Sequence, residues 1–168
     1  MNVLFEGNTK TGTDEWLTPP SILKKLGEFD LDPCSPINRP WNTANNHYNI
    51  NDDGLQKKWF GRVWCNPPYD NILQWLRKCS KYGNCIALVF ARTETEAFQK
   101  YVFPQAYALF FIYGRLKFYR VDGSKSGNAG APSVLIAYNK ENAEILKNSE
   151  LIGKYISLKQ TEPHTQTV

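Results

Sequence analysis

Apolar positions follow two patterns along this chain. Continuous apolar runs are typical of strands covered on both faces, whereas runs with a period near 3.6 are typical of helices packed along one side. Strands are predicted on this basis at 29–32, 62–65, 85–90, 108–112 and 133–138. Helices are predicted at 21–26, 71–82, 94–103 and 139–147. Strands that alternate with helices predict an α/β fold with a mostly parallel central sheet and helices on both faces.

Two of the predicted strands end in unusual chemistry. One ends at Asp32-Pro33-Cys34 and the other at Asn66-Pro67-Pro68-Tyr69. Ligands of open α/β sheets bind beyond the carboxyl ends of the strands. The two turns therefore predict a binding site at one edge of the sheet.

The length of 168 residues suits one domain. Residues 1–12 are polar and rich in Gly and Thr, which predicts a flexible N-terminal arm, and 159–168 are predicted to be a polar C-terminal tail. A single domain is predicted over 13–158. Within it, the long segment 35–54 has little apolar periodicity, which is typical of a functional loop. No stretch is long enough for a separate target-recognition domain.

Composition narrows the function classes. Twenty Lys and Arg against sixteen Asp and Glu give a net charge of +4, which is compatible with a polyanionic partner. Aromatic residues at 14% are compatible with a stacking surface, and ordinary core packing is the default explanation of them. No window of ~20 apolar residues and no signal segment is found, so we expect no membrane span and a cytoplasmic location. The four cysteines form no CxxC pair, so reduced thiols and no metal site are expected.

The tetrapeptide Asn66-Pro67-Pro68-Tyr69 has a clear physical character. Two prolines fix two φ angles and remove two N–H donors, which makes a stiff corner rich in acceptors. The Asn66 side-chain oxygen and the Pro67 carbonyl could accept from one exocyclic amine while Tyr69 stacks on the attached ring. A rigid structural turn is the alternative interpretation of these four residues.

The same tetrapeptide matches the signature of amino-directed methyltransferases that use S-adenosylmethionine: Asp, Asn or Ser, then two prolines, then an aromatic residue. Over 14–139 the chain resembles the phage-type Dam family of DNA N6-adenine methyltransferases. The landmarks of this resemblance are Trp16-Leu17-Thr18-Pro19, Phe29-Asp30-Leu31-Asp32-Pro33-Cys34, Asp53-Gly54-Leu55 with Trp59, Asn66-Pro67-Pro68-Tyr69, Gly114-Arg115-Leu116-Lys117-Phe118 and Pro132-Ser133-Val134. A Gly-rich turn after the first strand, common among methyltransferases, is absent here.

The resemblance implies a Rossmann-like methyltransferase fold that transfers a methyl group from S-adenosylmethionine to the N6 amine of adenine in DNA by direct in-line attack. It implies that the target base is flipped out or single-stranded, and it places a phage-encoded protein in the cytoplasm of a bacterial host. The implied catalytic residues are Asn66, Pro67, Pro68 and Tyr69. The implied cofactor-binding residues are Trp16, Thr18, Pro19, Asp32, Pro33, Cys34 and Asp53. Tyr69 and Arg115 are the implied substrate-binding residues.

Several alternatives stay open at this point. The nitrogen of an N4-cytosine, an RNA base, a free nucleotide or a protein glutamine would suit the same acceptors. A catalytically silent nucleic-acid-binding protein would share the basic surplus. Cytosine-C5 methylation is disfavoured: Cys34 supplies a thiol, but the acid Glu141 lies far along the chain in a predicted helix. The loop 122–130 is either a flexible hairpin or a flap over the substrate. Homo-oligomerisation is also open, since a second subunit could read the target sequence.

Overall fold

The computed structural model describes residues 15–159, so the predicted arm at 1–12 and the predicted tail beyond 159 lie outside the described residues. The strands are β1 (Leu31–Asp32), β2 (Asn46–His47), β3 (Val63–Cys65), β4 (Cys85–Phe90), β5 (Ala108–Ile112), β6 (Lys117–Tyr119), β7 (Lys125–Asn128), β8 (Ser133–Ala137) and β9 (Gly153–Ser157). The α-helices are α1 (Pro20–Leu26), α2 (Ile72–Tyr82), α3 (Glu96–Tyr101) and α4 (Lys140–Lys147), with a 3-10 turn at Tyr69–Asn71.

Seven strands form a mixed central sheet in the order β2-β1-β3-β4-β8-β5-β9. The pairs β1–β2, β1–β3 and β3–β4 are parallel. Strand β8 is antiparallel to both β4 and β5, and β9 is antiparallel to β5. Five strands therefore share one direction, while β8 and β9 oppose them. The prediction of a mostly parallel sheet holds for strand direction, but only the β2-β1-β3-β4 half has parallel ladders.

Helices cover both faces of this sheet, as the alternation along β4 makes clear. Cys85, Ala87 and Val89 face a core cluster that includes residues of α2 and α3, whereas Ile86 and Leu88 face a second cluster that includes residues of α1 and α4. Both faces of the central strands are buried, which explains why their sequences are continuously apolar. The α/β class and the two helix layers are confirmed.

The strands that the apolar pattern missed are short, polar or at the periphery. Strand β2 lies inside the predicted loop 35–54, and β9 lies at the outer edge of the sheet with most of its residues exposed. Strands β6 and β7 form a separate two-stranded hairpin, and the segment 122–130 contains its turn and β7. Closure of this segment over a substrate stays a prediction. Predicted and observed element boundaries otherwise differ by at most two residues, as expected where ends fray. No helix within 15–159 has the length and apolarity to cross a membrane.

Gly54 joins the long loop to the turn that follows β1. A side chain at this position would overlap the carbonyl oxygen of Pro33 and approach the ring of Trp75. The Gly54 carbonyl accepts hydrogen bonds from the Trp59 indole nitrogen at 2.8 Å and the Lys78 amine at 2.9 Å. This close approach holds the neighbouring Asp53 beside the Pro33 turn.

We predict that Gly54→Ala destabilises the protein by about 1–3 kcal/mol, because the added methyl group must push against backbone rather than against a flexible side chain. Urea unfolding followed by circular dichroism measures this change. Gly130→Ala is the matched control, since a Cβ at Gly130 meets nothing within 4 Å. Equal stability of the two variants would contradict the packing described here.

Candidate functional site

The carboxyl ends of β1, β3 and β4 meet at one edge of the sheet, because these strands are parallel neighbours. Asp32 closes β1, Asn66 follows the last residue of β3, and Phe90 closes β4. Pro33 directly follows Asp32, and Pro67 directly follows Asn66. Neither proline has an N–H group to donate to a continuing ladder. The sequence thus ends both strands at the same edge and brings the two predicted turns together.

The amide of Asn66 is oriented by the segment that precedes α1. Its nitrogen donates to the Trp16 carbonyl at 3.3 Å and to the Thr18 hydroxyl at 3.4 Å. A carbonyl oxygen can only accept a hydrogen bond, so the amide nitrogen must lie on this side. The side-chain oxygen Oδ1 of Asn66 consequently lies on the opposite side of the amide, as an acceptor.

Backbone pairing holds that segment in place. Leu17 and Tyr119 exchange two backbone hydrogen bonds, of 2.8 and 2.9 Å, in an isolated antiparallel bridge. Leu17 and Thr18 are buried, and Pro19 is the N-cap of α1. Trp16, Thr18 and Pro19, which the resemblance assigned to the cofactor, thus lie on a segment that contacts Asn66.

Tyr69 is fixed by Phe90, a residue that the sequence analysis did not single out. The Tyr69 hydroxyl accepts from the Phe90 backbone N–H at 3.2 Å, and the two rings stack with centroids 4.6 Å apart and planes 18° apart. Tyr69 is nevertheless 43% exposed. One face of its ring is covered by Phe90, so stacking on a further ring would use the other face. An aromatic residue at the end of the strand beside β3 was the available sequence signal.

Asp32 is a buried carboxylate, 4% exposed. One of its oxygens accepts from the backbone N–H of Cys34 at 3.1 Å, and the other accepts from the hydroxyl of Thr43. Burial raises the pKa of Asp32 from 3.8 to about 6, while the bonds from Thr43 and Cys34 and the charge of Arg39 oppose this rise. Among residues 15–159, no cation is in hydrogen-bond contact with Asp32, so its ionised form is in a position that favours binding a positive group.

The loop before β2 supplies Thr43, the second hydrogen-bond partner of Asp32, which the sequence analysis did not name. Thr43 and Ala44 donate backbone N–H groups to His47 Nε2, at 3.3 and 3.4 Å. The guanidinium of Arg39 lies 3.0 Å from His47 Nδ1. Burial and the Arg39 charge lower the pKa of His47 to about 4, so the imidazole is neutral at physiological pH. His47 thus shapes the loop that carries Thr43.

Cys65, Cys79 and Cys85 are buried in the core cluster that includes residues of α2 and α3, and Cys34 packs against that cluster. The sulfur atoms of Cys34 and Cys65 lie 3.9 Å apart, and those of Cys79 and Cys85 lie 3.4 Å apart. The hydrogen bond with Cys65 lowers the pKa of Cys34, but burial and the Asp32 charge raise it more, so Cys34 remains a thiol. A protonated thiol argues against nucleophilic catalysis at Cys34. Among the described residues, no cluster of His, Cys, Asp and Glu is arranged to hold a metal ion.

The remaining predicted residues lie around this edge at different depths. Pro67 is buried and Pro68 is half-buried, and together they form the stiff corner that precedes Tyr69. Asp53 is exposed, with a left-handed φ of 56°, and adjoins Gly54 at the Pro33 carbonyl. Arg115 is exposed in the loop between β5 and β6 and makes no salt bridge among the described residues.

Comparison with known families decides the assignment. A family model described as DNA N-6-adenine-methyltransferase (Dam) matches residues 7–162. The chain belongs to the Dam family. Comparison with curated proteins and with solved structures finds no match. The match extends beyond 15–159 at both ends, so the described part of the Dam protein lies wholly within it.

We predict that Asp32→Asn makes the protein more stable above pH 6. Because the pKa of Asp32 is higher in the folded chain than its ordinary value, ionisation opposes folding above about pH 6, and this cost vanishes below 3.8. The free energy of unfolding should rise by up to ~3 kcal/mol at pH 8 and change little at pH 3.5. Chemical unfolding at the two pH values measures it.

Asp122→Asn is the control, because Asp122 is exposed and the hydroxyl of Ser124 lowers its pKa. That substitution should cause no gain at pH 8. An Asp32→Asn variant that is less stable than the native chain at pH 8 would show that the carboxylate is a net structural support.

Proposed function

We propose that this Dam-family protein transfers a methyl group from S-adenosylmethionine to the N6 amine of adenine in DNA, by direct in-line attack at the Asn66-Pro67-Pro68-Tyr69 turn on a Rossmann-like sheet. The single observation that carries this proposal is the orientation of Asn66. Its amide nitrogen is occupied by Trp16 and Thr18, which leaves Oδ1 as an acceptor for an amine.

Asn66 and Pro67 form the acceptor part of this site. The lone pair of an adenine amine is delocalised into the purine ring, so the amine is a weak nucleophile. Two acceptors that bind its N–H groups favour a pyramidal nitrogen whose lone pair points away from the ring. They also bind better as positive charge develops on that nitrogen, which stabilises the transition state. Tyr69 would stack on the base and hold it in the reacting orientation.

Asp32 is suited to hold the cofactor. S-adenosylmethionine, when bound, supplies an electrophilic methyl group on a sulfonium centre, and its amino-acid part carries an ammonium group. A buried carboxylate that already accepts from Thr43 and Cys34 has the charge to bind that ammonium. Pro33 and Cys34 form the adjoining turn, and Asp53 lies beside it to bind the ribose or adenine of the cofactor. Trp16 and Pro19 would border the same pocket.

The β6–β7 hairpin is the proposed DNA contact. Arg115, Lys117, Arg120 and Lys125 are exposed on it or on the loop that leads to it. The ring of Tyr119 meets Trp41 edge to face, with centroids 5.0 Å apart, which anchors the hairpin on the long loop. These cations lie on a hairpin that is anchored near the candidate site, so they are suited to bind the phosphate backbone of DNA. No separate target-recognition domain is proposed, so the base sequence would be read weakly.

Incubation of the protein with labelled S-adenosylmethionine and DNA, followed by digestion to nucleosides, tests the proposal. Label in N6-methyldeoxyadenosine is the expected result. Label in N4-methylcytosine would show that the substrate base is cytosine rather than adenine. Binding of DNA without any transfer to DNA, RNA or nucleotides would instead indicate a silent binding protein.

We predict that Asn66→Ala loses methyl transfer by a factor on the order of 10²–10³ while it retains S-adenosylmethionine binding, because one transition-state acceptor is removed. Initial rates and calorimetric binding measure the two effects separately. Asn66→Asp should have intermediate activity: it keeps the outward acceptor, but its second oxygen faces the Trp16 carbonyl. Near-native turnover by Asn66→Ala would refute the assignment.

We predict that DNA affinity falls steeply with salt, with a log–log slope of about −0.9 for each phosphate contact on duplex DNA. Arg120→Ala should reduce the magnitude of this slope by about one, since it removes one contact. Lys147→Ala, at the distant end of α4, is the control and should leave the slope unchanged. Fluorescence anisotropy over a salt series measures these slopes.

Phosphate contacts carry no sequence information, so methylation should occur in many adenine contexts. Partial methylation of mixed-sequence DNA, followed by mapping of the modified adenines, examines this expectation. Concentration of nearly all label in one short motif would show that loops or a second subunit read base edges.

A further inference from the structure

Ser133 has a buried hydroxyl without a partner. The residue is 1% exposed, and its Oγ has no hydrogen-bond partner among the described residues. Buried polar side-chain atoms are nearly always paired, so such an atom calls for an explanation. Ser149 offers a contrast within the same chain: it is also buried, but its hydroxyl donates to the Leu146 carbonyl at 2.8 Å.

The unpaired hydroxyl lies beside the aromatic part of the candidate site. Ser133 begins β8 and is directly opposite Phe90 of β4 in antiparallel register. The next pair, Ala91 and Pro132, is joined by a backbone hydrogen bond of 2.8 Å. Hydrogen-bonded and non-bonded pairs alternate in such ladders, so Phe90 and Ser133 form a non-bonded pair, in which side chains on the same face come closest.

Four groups follow one another across this end of the sheet. Asp32, Asn66, Phe90 and Ser133 belong to or directly follow the neighbouring strands β1, β3, β4 and β8. Adjacent strands are ~4.8 Å apart, so the strand of Ser133 lies ~10 Å from that of Asn66. A base stacked on the free face of Tyr69 with its amine at Asn66 would, if it were a purine, extend farther from Asn66 toward the strand of Ser133. A single-ring pyrimidine would end sooner.

We infer that Ser133 binds the target base, by donating a hydrogen bond from its hydroxyl to a ring nitrogen of adenine. The inference rests on the proposed function and names a residue that favours adenine over cytosine within that site. The ring nitrogens of adenine are acceptors, and a serine hydroxyl rotates to meet them. The hydroxyl is buried in the ligand-free chain, so the packing around Ser133 must open as the base enters.

Ser133→Ala is the first test variant. It removes no hydrogen bond of the described protein, so its melting temperature should not fall, whereas that of the control Ser149→Ala should. On adenine-containing DNA, Ser133→Ala should lower kcat/KM by about 3- to 10-fold, the range for one neutral hydrogen bond. Its affinity for S-adenosylmethionine should be unchanged. Ser149→Ala should keep native kinetics.

Oligonucleotides in which adenine is replaced by 1-deaza-, 3-deaza- or 7-deazaadenine identify the contact atom. One of the three analogues should slow the native protein by the same factor as Ser133→Ala does, and it should not slow Ser133→Ala further. The inference would be overturned if every analogue slowed the native protein and Ser133→Ala by equal factors. It would also be overturned if Ser133→Ala had the native kcat/KM, or if Ser133→Ala bound S-adenosylmethionine more weakly than the native protein does.

The outcomes separate this inference from the function on which it rests. If the native protein transfers no methyl group to adenine in DNA, both fail. If the native protein is active and Ser133→Ala has the same kcat/KM, only the inference about Ser133 is refuted and the proposed function stands.

Discussion

The candidate site depends on one constraint: two parallel strands stop at the same edge because proline follows each of them. Pro33 and Pro67 cannot donate to a ladder, so Asp32 and Asn66 remain at the ends of β1 and β3. Everything else is arranged around these two positions. The long loop packs on the Pro33 turn through Gly54, and the segment before α1 lies against Asn66.

The two positions are held in electrically different ways. Asn66 is neutral, and its orientation is set by which atoms can donate. Asp32 is charged, and burial opposes that charge even with Thr43 and Cys34 as donors. An acid kept ionised against burial is a cost to the ligand-free fold, and a bound cation would offset it. Under the proposed function, cofactor binding would favour the ionised state of this side chain, whereas the stability of the ligand-free fold favours the neutral state.

The sequence predicted the elements whose structure is decided by a local pattern of apolar residues. The runs at β4, β5 and β8 are continuous and buried, so their strands were predicted almost to the residue. Strands β2, β6, β7 and β9 were missed because their pairing is decided by distant partners rather than by their own polarity. The mixed pairing of the sheet was missed for the same reason: nothing local to β8 reveals its direction.

The same distinction applies within the site. The two proline turns were recognised from their own residues. The contact of Thr18 with Asn66 spans 48 positions, and that of Thr43 with Asp32 lies within a loop without periodicity, so neither is visible in sequence. Phe90 was interpreted only as the end of an apolar strand, because its contact with Tyr69 appears once the helices have packed.

The bridge between Leu17 and Tyr119 has a consequence for how this protein can diverge. Leu17 pairs with the hairpin and its neighbour Thr18 contacts Asn66, so an insertion of one residue there would turn one of the two side chains to the wrong face. The turn at Asp122, Gly123 and Ser124 lies beyond that bridge and is free of this restriction. Changes of length or charge at the hairpin tip would therefore leave the acceptor geometry at the sheet edge in place.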